Sequence, residues 1–559
     1  MELLVDVFGY LSIVLHGLTI AAQSMALGGT LFLILLGRPL AAHLGIPGFN
    51  ILRGTCRIAA WSAAALALAE LTAITMQSLV LISTAGLSPV GTLTAHFVLA
   101  GLVKVTAAAC LAWLLFRRGA AVPSTAAPAW TLLLLVAIVL IAATLTTHAS
   151  ARLDSRVPLL AAAWLHQFGA ALWIGGIPSF LLALNYVQDA GAWRLVGARF
   201  SRMSMAGVAS ILVSGIVMCV YYIGDAPGFY GTAYGVMVSA KIAMFAMLLG
   251  LGGLNFLLVE RLSAAPGTPI TRLRRFAEVE AGIGAAIFFT AASLTSVPPA
   301  IDLTQDRVTW AEIVERNTPV WPKLAGPDRD SLALPAMQAR LDAEAAQRRA
   351  APQAAFVPGA GELPPRNAND IAWSEYNHHW AGLVVTLAGL LALLHRAGIR
   401  WARHWPLIFM SLSVFLFFRA DPEVWPLGDI GFWDSLRDVE VLQHRLCVVL
   451  IAVFAWFEWR VRTVPSPRRA ATLVFPLLCA GGAVLLLTHS HAIANVKDQL
   501  LIELTHTPLA LAGLAAGGAR WLELRLNASE NPAAIRVASW VWPVCVLGSG
   551  LLLLAYREA

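Results

Sequence analysis

The sequence is poor in charge. Of 559 residues only 13% are Asp, Glu, Lys or Arg, while 58% are hydrophobic. Soluble domains carry about 25% charged residues, so a chain of this kind is excluded from the ordinary soluble class. The six cysteines stand singly at 56, 110, 219, 447, 479 and 545, and no CxxC pair exists. That removes a disulfide framework and a thiolate zinc site. No P-loop and no phosphorylation motif of the ATPase kind are present, so transport driven directly by ATP is excluded as well. The net charge of +7 reads as membrane topology rather than as affinity for nucleic acid.

What is present is a series of long apolar runs, each near the roughly 20 residues a spanning helix needs. Fourteen are expected, at 8–37, 56–84, 93–116, 128–147, 158–184, 203–224, 236–259, 276–297, 378–395, 403–419, 440–459, 470–488, 499–517 and 535–556. The fold class is therefore all-α, a polytopic membrane helix bundle of about 14 transmembrane helices. The first run has an acidic leader and about twice the length of a signal core, so it does not read as a cleaved signal peptide. Short loops rich in Arg alternate with neutral or acidic ones, and all seven basic loops agree in side. By the positive-inside rule both termini face outward. The polar stretch from about 300 to 375 falls outside as a linker or small cap. It divides the chain into an eight-helix part, 1–299, and a six-helix part, 376–559.

Histidine marks one face. On this topology ten of the thirteen histidines fall toward the outer ends of helices, and imidazole is a common ligand for transition metals. The first part offers His16, His96, His148 and His166. The second offers His378, His379, His444, His489, His491 and His506. Three glutamates sharpen the second group: Glu375 precedes His378 and His379 by three and four residues, Glu440 precedes His444 by four, and Glu503 precedes His506 by three. Such spacings put both side chains on one helix face, where a carboxylate can ligate a metal or orient the imidazole. His489 and His491 can share a site only if their helix ends there. First-turn glutamates also suit the helix dipole without any metal.

Charges deep in apolar runs are costly and either pair or mark a pathway. Glu70, Lys104 and Lys241 are of this kind, with Glu70 facing either lysine. Asn255, Glu278 and Glu280 lie toward the inner ends of their helices, where an exit would be. Met25, Met76, Met218, Cys219, Met244 and Met247 offer soft ligands for an ion such as Cu(I), although methionine is more often core filling.

Four segments then carry a resemblance: HQFGAALWIGGIPSF (166–180), RFSRMSMAGVASILVSGI (199–216), YGVMVSAKIAMFAMLLGLGGLN (234–255) and RRFAEVEAG (274–282). In this order they resemble the core of the CopD family of bacterial copper-resistance membrane proteins. SEYNHHWAGL, DPEVWPLGDIGFW, VEVLQHRL, LLTHSHAIANVK and LIELTHTPLAL resemble the extension of its longer members. The resemblance implies a multi-pass protein of the bacterial inner membrane that moves copper from periplasm to cytoplasm, beside a periplasmic carrier of the CopC type. It also implies roles for His166, Lys241, Asn255 and Glu280, with His166 as the first ligand candidate. On these expectations the protein is a transporter rather than an enzyme, with copper ions as cargo. The competing expectation is a membrane metalloenzyme or electron-transfer protein holding haem or a dimetal iron site in the six-helix part, since two facing histidines suffice for haem. A sensor or docking scaffold that binds copper without flux is the third.

Overall fold

The computed structural model describes residues 2–120, 129–152, 154–303, 307–318, 320–327, 368–465, 468–488 and 496–557. These residues form helices and loops, with a single isolated bridge between Val424 and Ile430 as the only β-type pairing among them. Backbone groups in lipid must be satisfied within their own segment, and long apolar stretches meet that demand as helices.

Each of the fourteen expected runs falls on a long helix. They are α1 (Glu2–Phe32, continued to Leu44), α2 (Ile46–Ala85), α3 (His96–Ala120), α4 (Ala129–Leu145), α5 (Arg156–Trp173, resumed at Ile177–Tyr186), α6 (Ala190–Tyr222) and α7 (Ala233–Ala264). Then follow α8 (Thr271–Leu294), α9 (Ala368–Arg396), α10 (Pro406–Arg419, in one span from Arg400), α11 (Val439–Thr463), α12 (Val474–Leu487, in one span from Ala470), α13 (Val496–Arg525) and α14 (Pro532–Leu554). Twelve of the described helices are long and apolar enough to cross a membrane, which makes this an all-α, multi-pass membrane protein. Of the other two, α4 has only 17 residues, and α13 starts with a charged turn and contains Pro508.

Several helices extend beyond their apolar runs. Arg53, which precedes the expected run 56–84, lies within the first turns of α2. Starts are fixed by side-chain caps: Asp189 accepts from the Ala192 N–H at 2.8 Å, Thr232 from Gly235 at 3.0 Å, and Asp438 from Glu440 at 2.8 Å. Each satisfies an orphan donor of the first turn.

The break in α5 has a packing cause. A Cβ on Gly175 would stand 1.9 Å from the Ser24 carbonyl oxygen, and one on Gly28 2.2 Å from that of Ala171. Two bare glycine surfaces let α1 and α5 touch backbone to backbone, and Pro178 restarts the helix one residue inside its new first turn.

Neighbours in sequence pack as neighbours in space, α1 with α2, α2 with α3, α5 with α6 and α12 with α13, while α9 packs against the distant α14. The two parts of the chain meet where α7 and α8 lie against α12 and α13. Met244, Leu248, Val279 and Ile283 share one buried cluster there with Ala483, Leu487, Ala510 and Leu514. One end of the bundle is covered by the described pieces of the polar stretch. Val308 pairs with the Gly231 carbonyl, Arg307 grips Asp225 at 2.6 and 2.8 Å, and Arg152 reaches Asp302 at 2.5 Å. This end is called the cap face below.

Candidate metal path and its polar stations

The first eight helices bury their polar groups in separate small sets. Nearest α2 and α3, the Lys104 ammonium meets the Glu70 carboxylate at 2.9 Å, and both residues are buried. Of the two lysines open to Glu70, it is therefore Lys104 that pairs. A closed ion pair is neutral as a unit, which is how such charges survive among apolar helices.

The second set lies on α5, α6 and α7. His166 Nδ1 is 3.0 Å from Ser214 Oγ. That hydroxyl has one proton, and it is spent on the Ser210 carbonyl at 2.6 Å. The imidazole must therefore donate from Nδ1, leaving the Nε2 lone pair available to a metal. An imidazole oriented through its other nitrogen is the usual arrangement of a metal-binding histidine. Lys241 lies near enough to act electrostatically on both His166 and Cys219. Met218 stands one turn beyond Ser214 on α6, half-buried in the same apolar cluster as Cys219.

The third set lies fourteen residues further along α7, about 21 Å of helix rise from Lys241. Here Asn255 donates to Glu280 at 2.7 Å, both are buried, and the Trp173 ring sits against the same carboxylate. The Asn255 Oδ1 is buried and has no hydrogen-bond partner among the described residues. Between the second and third sets run the apolar side chains of Met244 and Leu248.

His16 is half-buried on α1, which also sends Gln23 to Gln167 at 2.8 Å, next to His166. His148 opens the short helix His148–Ala151 between α4 and α5, and His96 is exposed at the start of α3.

In the last six helices the polar groups gather at the two ends. At the cap face, His378 Nδ1 bonds to the Ser374 carbonyl at 2.8 Å. Its ring stacks on Tyr556 at 3.9 Å and meets the His506 ring edge-on, 6.0 Å between centroids. His444 Nδ1 contacts the Asp421 carboxylate at 2.7 Å. A carbonyl or carboxylate only accepts, so His378 and His444, like His166, donate from Nδ1. Asp421, Glu423, Asp438 and Glu440 crowd around His444. Burial, then the Asp421 charge, pushes the Glu423 carboxyl up to about 7, and burial followed by Glu440 raises Asp438. Glu503 is buried one turn before Thr507, while His506 reaches toward His378. His489 and His491 lie outside the described residues; α12 ends before them, at Leu487.

His379 is placed differently from its neighbour. It is fully buried, its Nδ1 accepts the Lys323 N–H at 2.8 Å, and its Nε2 bonds to the Tyr556 carbonyl at 2.8 Å. Glu375, almost as buried, forms an ion pair with the Lys323 ammonium.

At the opposite face a charge network replaces the solvated arginine loops that the sequence suggests. Glu458 binds Arg462 at 2.6 Å and Arg520 at 3.0 Å; Arg520 also holds Glu523 at 2.7 Å, which accepts from the Trp542 indole at 2.8 Å. Trp405, Phe475 and Trp542 wall it in. Across the seam, Glu278 accepts from Trp521 at 2.7 Å and lies 3.5 Å from Arg525.

Among the described residues no three His, Cys, Asp or Glu side chains come close enough together to hold a metal ion. The sequence does not by itself single out Ser214, Lys323 and Tyr556, and it marks Asp421 only as an acidic outer-loop residue. Ser214 sits in a segment already singled out, but the hydrogen bond that gives it meaning joins residues 48 positions apart.

Residues 194–294 match the family described as Copper resistance protein D. Over 163 residues the chain is 32% identical to the Copper transport protein CutJ of Bacillus subtilis (strain 168), covering 28% of this chain and 29% of that one. Over 97 residues it is 30% identical to Copper resistance protein D of Pseudomonas syringae pv. tomato, covering 16% and 31%. The chain thus spans under a third of the length of these relatives. No solved structure matches. The matched segment runs from α6 through α8 and contains Ser214, Met218, Lys241, Asn255 and Glu280, while His166 precedes it.

Proposed function

We propose that this CopD-family protein carries copper ions across the bacterial inner membrane, from the periplasmic cap face to the cytoplasmic face. The observation that carries the reading is the hydrogen bond from His166 to Ser214, which orients Nε2 as a metal donor deep within α5. Around it stand Met218 and Cys219 as soft donors suited to Cu(I). Lys241, with no hydrogen-bond or ion-pair partner among the described residues, stands beside His166 and Cys219 and is no ligand of the oriented imidazole. Sparse ligation is what transit requires, because an ion that is bound too well does not leave.

Copper enters through His378, His444 and His506 with Glu440, joined by His16, His148 and Glu503; His489 and His491, outside the described residues, belong to the same proposed entrance by sequence alone. It then passes the His166 station, crosses the Met244 layer and meets Asn255 and Glu280. There the unpartnered Asn255 oxygen and the carboxylate offer oxygen donors, which suit a harder cation or a proton and so link copper movement to an ion gradient. The Glu70–Lys104 pair is a neutral wall of the same compartment. A periplasmic carrier of the CopC type delivers the ion, and the acidic residues around His444 favour its approach over about a Debye length.

A second reading has its own observation. The edge-on His378–His506 pair suits an electron-transfer centre with haem between two imidazoles. The test is copper flux into proteoliposomes made from the purified full chain, with a visible spectrum of the same sample. Copper entering faster than in protein-free vesicles supports transport. A Soret band with no flux replaces it with the haem reading.

A further inference from the structure

Two donor atoms on one turn of α9 are aimed at a single residue from the polar stretch. Glu375 and His379 are four apart, so their side chains share one helix face. His379 gives its Nε2–H to the Tyr556 carbonyl at 2.8 Å, which fixes its tautomer and leaves the lone pair on Nδ1. That lone pair receives the backbone N–H of Lys323 at 2.8 Å. The carboxylate of Glu375, with 3% of its side chain exposed, receives the Lys323 ammonium. The strand of chain is held further by the Trp380 indole, which donates to the Leu324 carbonyl at 3.1 Å.

An imidazole oriented by a backbone carbonyl and a carboxylate one turn away form half of a transition-metal site. Both metal-directed atoms are occupied by the N–H and ammonium of one lysine, so its positive charge stands where a cation would. Lys323 itself is reachable, since 56% of its side chain is exposed. The buried carboxylate cannot stay ionised without a partner, because an unpaired charge there is costly. Losing the lysine therefore leaves the carboxylate to take up another cation, a proton or a metal ion.

We propose that Glu375 and His379 form a binding site for a divalent transition-metal ion, and that Lys323 is its tethered occupant, which the metal must displace. The site rests on the copper reading only for which ion reaches it; occupancy is read by binding, independently of flux.

The test is Cu(II) titration of the full chain in detergent at buffered free Cu(II), with electron paramagnetic resonance reporting nitrogen ligation. The Lys323→Met variant is expected to fill one nitrogen-ligated copper at free Cu(II) about tenfold or more below that needed by the wild type. Adding Glu375→Gln to it should remove the gain. Equal titration curves for wild type and Lys323→Met overturn the proposal, and so does a gain that survives Glu375→Gln. Should the variant fail to fold, the wild type gives the answer. Acylation of Lys323 by an amine-reactive ester, read by mass spectrometry, should accelerate severalfold as Cu(II) fills the site. An unchanged rate counts against displacement. Binding at this site without copper flux would sink the transport reading alone.

Discussion

The two ends of the chain solve one problem in different ways. Helices α1 to α8 hide polar groups as isolated pairs on adjacent helices: Glu70 with Lys104, His166 with Ser214, Asn255 with Glu280. Helices α9 to α14 collect theirs into an imidazole and carboxylate cluster at the cap face and a four-membered Glu–Arg network at the other. Isolated pairs spaced along α5 and α7 give an ion separate stopping points through the thickness of the bundle. Networks at helix ends fix those ends and give none. On the proposed copper reading, passage belongs to the first region, and reception and anchoring to the second.

The largest effect should come from breaking the network. Glu458→Ala takes the carboxylate from Arg462 and one of two from Arg520 among Trp405, Phe475 and Trp542 and should cost about 3–5 kcal/mol, the usual penalty for unpairing buried charge. Thermal unfolding in detergent measures it. Neutralising a second member, as in Glu458→Gln with Arg520→Met, should not restore stability, because Arg462 and Glu523 remain.

An isolated pair behaves otherwise. Lys104→Met alone leaves Glu70 buried and unpaired, at a cost of about 3 kcal/mol or more, whereas Lys104→Met with Glu70→Gln should regain most of it. Equal losses in the single and double variants would erase the distinction between pair and network.

Ser214→Ala sharpens the contrast at the metal itself. It keeps the fold but frees the His166 ring, and should weaken copper binding by about tenfold, read by competition with a copper chelator. The same change in affinity with His166 already replaced would show that the serine acts elsewhere.

The smallest effect is a pH dependence at the cap face. Glu423 titrates near 7 in the folded protein, above the roughly 4.3 of an exposed glutamate. The folded state then binds the proton more tightly, so this group's contribution to stability falls as pH rises from about 4.3 through 7. Glu423→Gln should flatten that slope and raise the melting temperature at pH 8 by about a few degrees. An unaltered slope would mean that Glu423 is ionised throughout.

The helices were legible because burial in lipid writes a long apolar run for each one. The break in α5 was not, since it depends on Gly175 facing Ser24 from another helix. Among the candidate site residues, Lys104 was legible as a partner of Glu70 without being distinguishable from Lys241; only packing of α2 on α3 decides it. The spacing of Glu375 and His379 was also visible, but their occupant, Lys323, comes from over fifty residues away. Arg462 and Arg520 read as loop charges because composition cannot tell a solvated helix end from a buried Glu458 contact. Local periodicity records which face a residue is on; it does not record what meets that face.

The most direct measurement is copper uptake into proteoliposomes by His166→Ala, set beside the combined His378→Ala, His444→Ala and His506→Ala variant. The account predicts that His166→Ala loses uptake at every copper concentration, while the combined variant mainly raises the concentration needed for half-maximal uptake. Wild-type uptake by His166→Ala would contradict it, and would move the path out of the first eight helices.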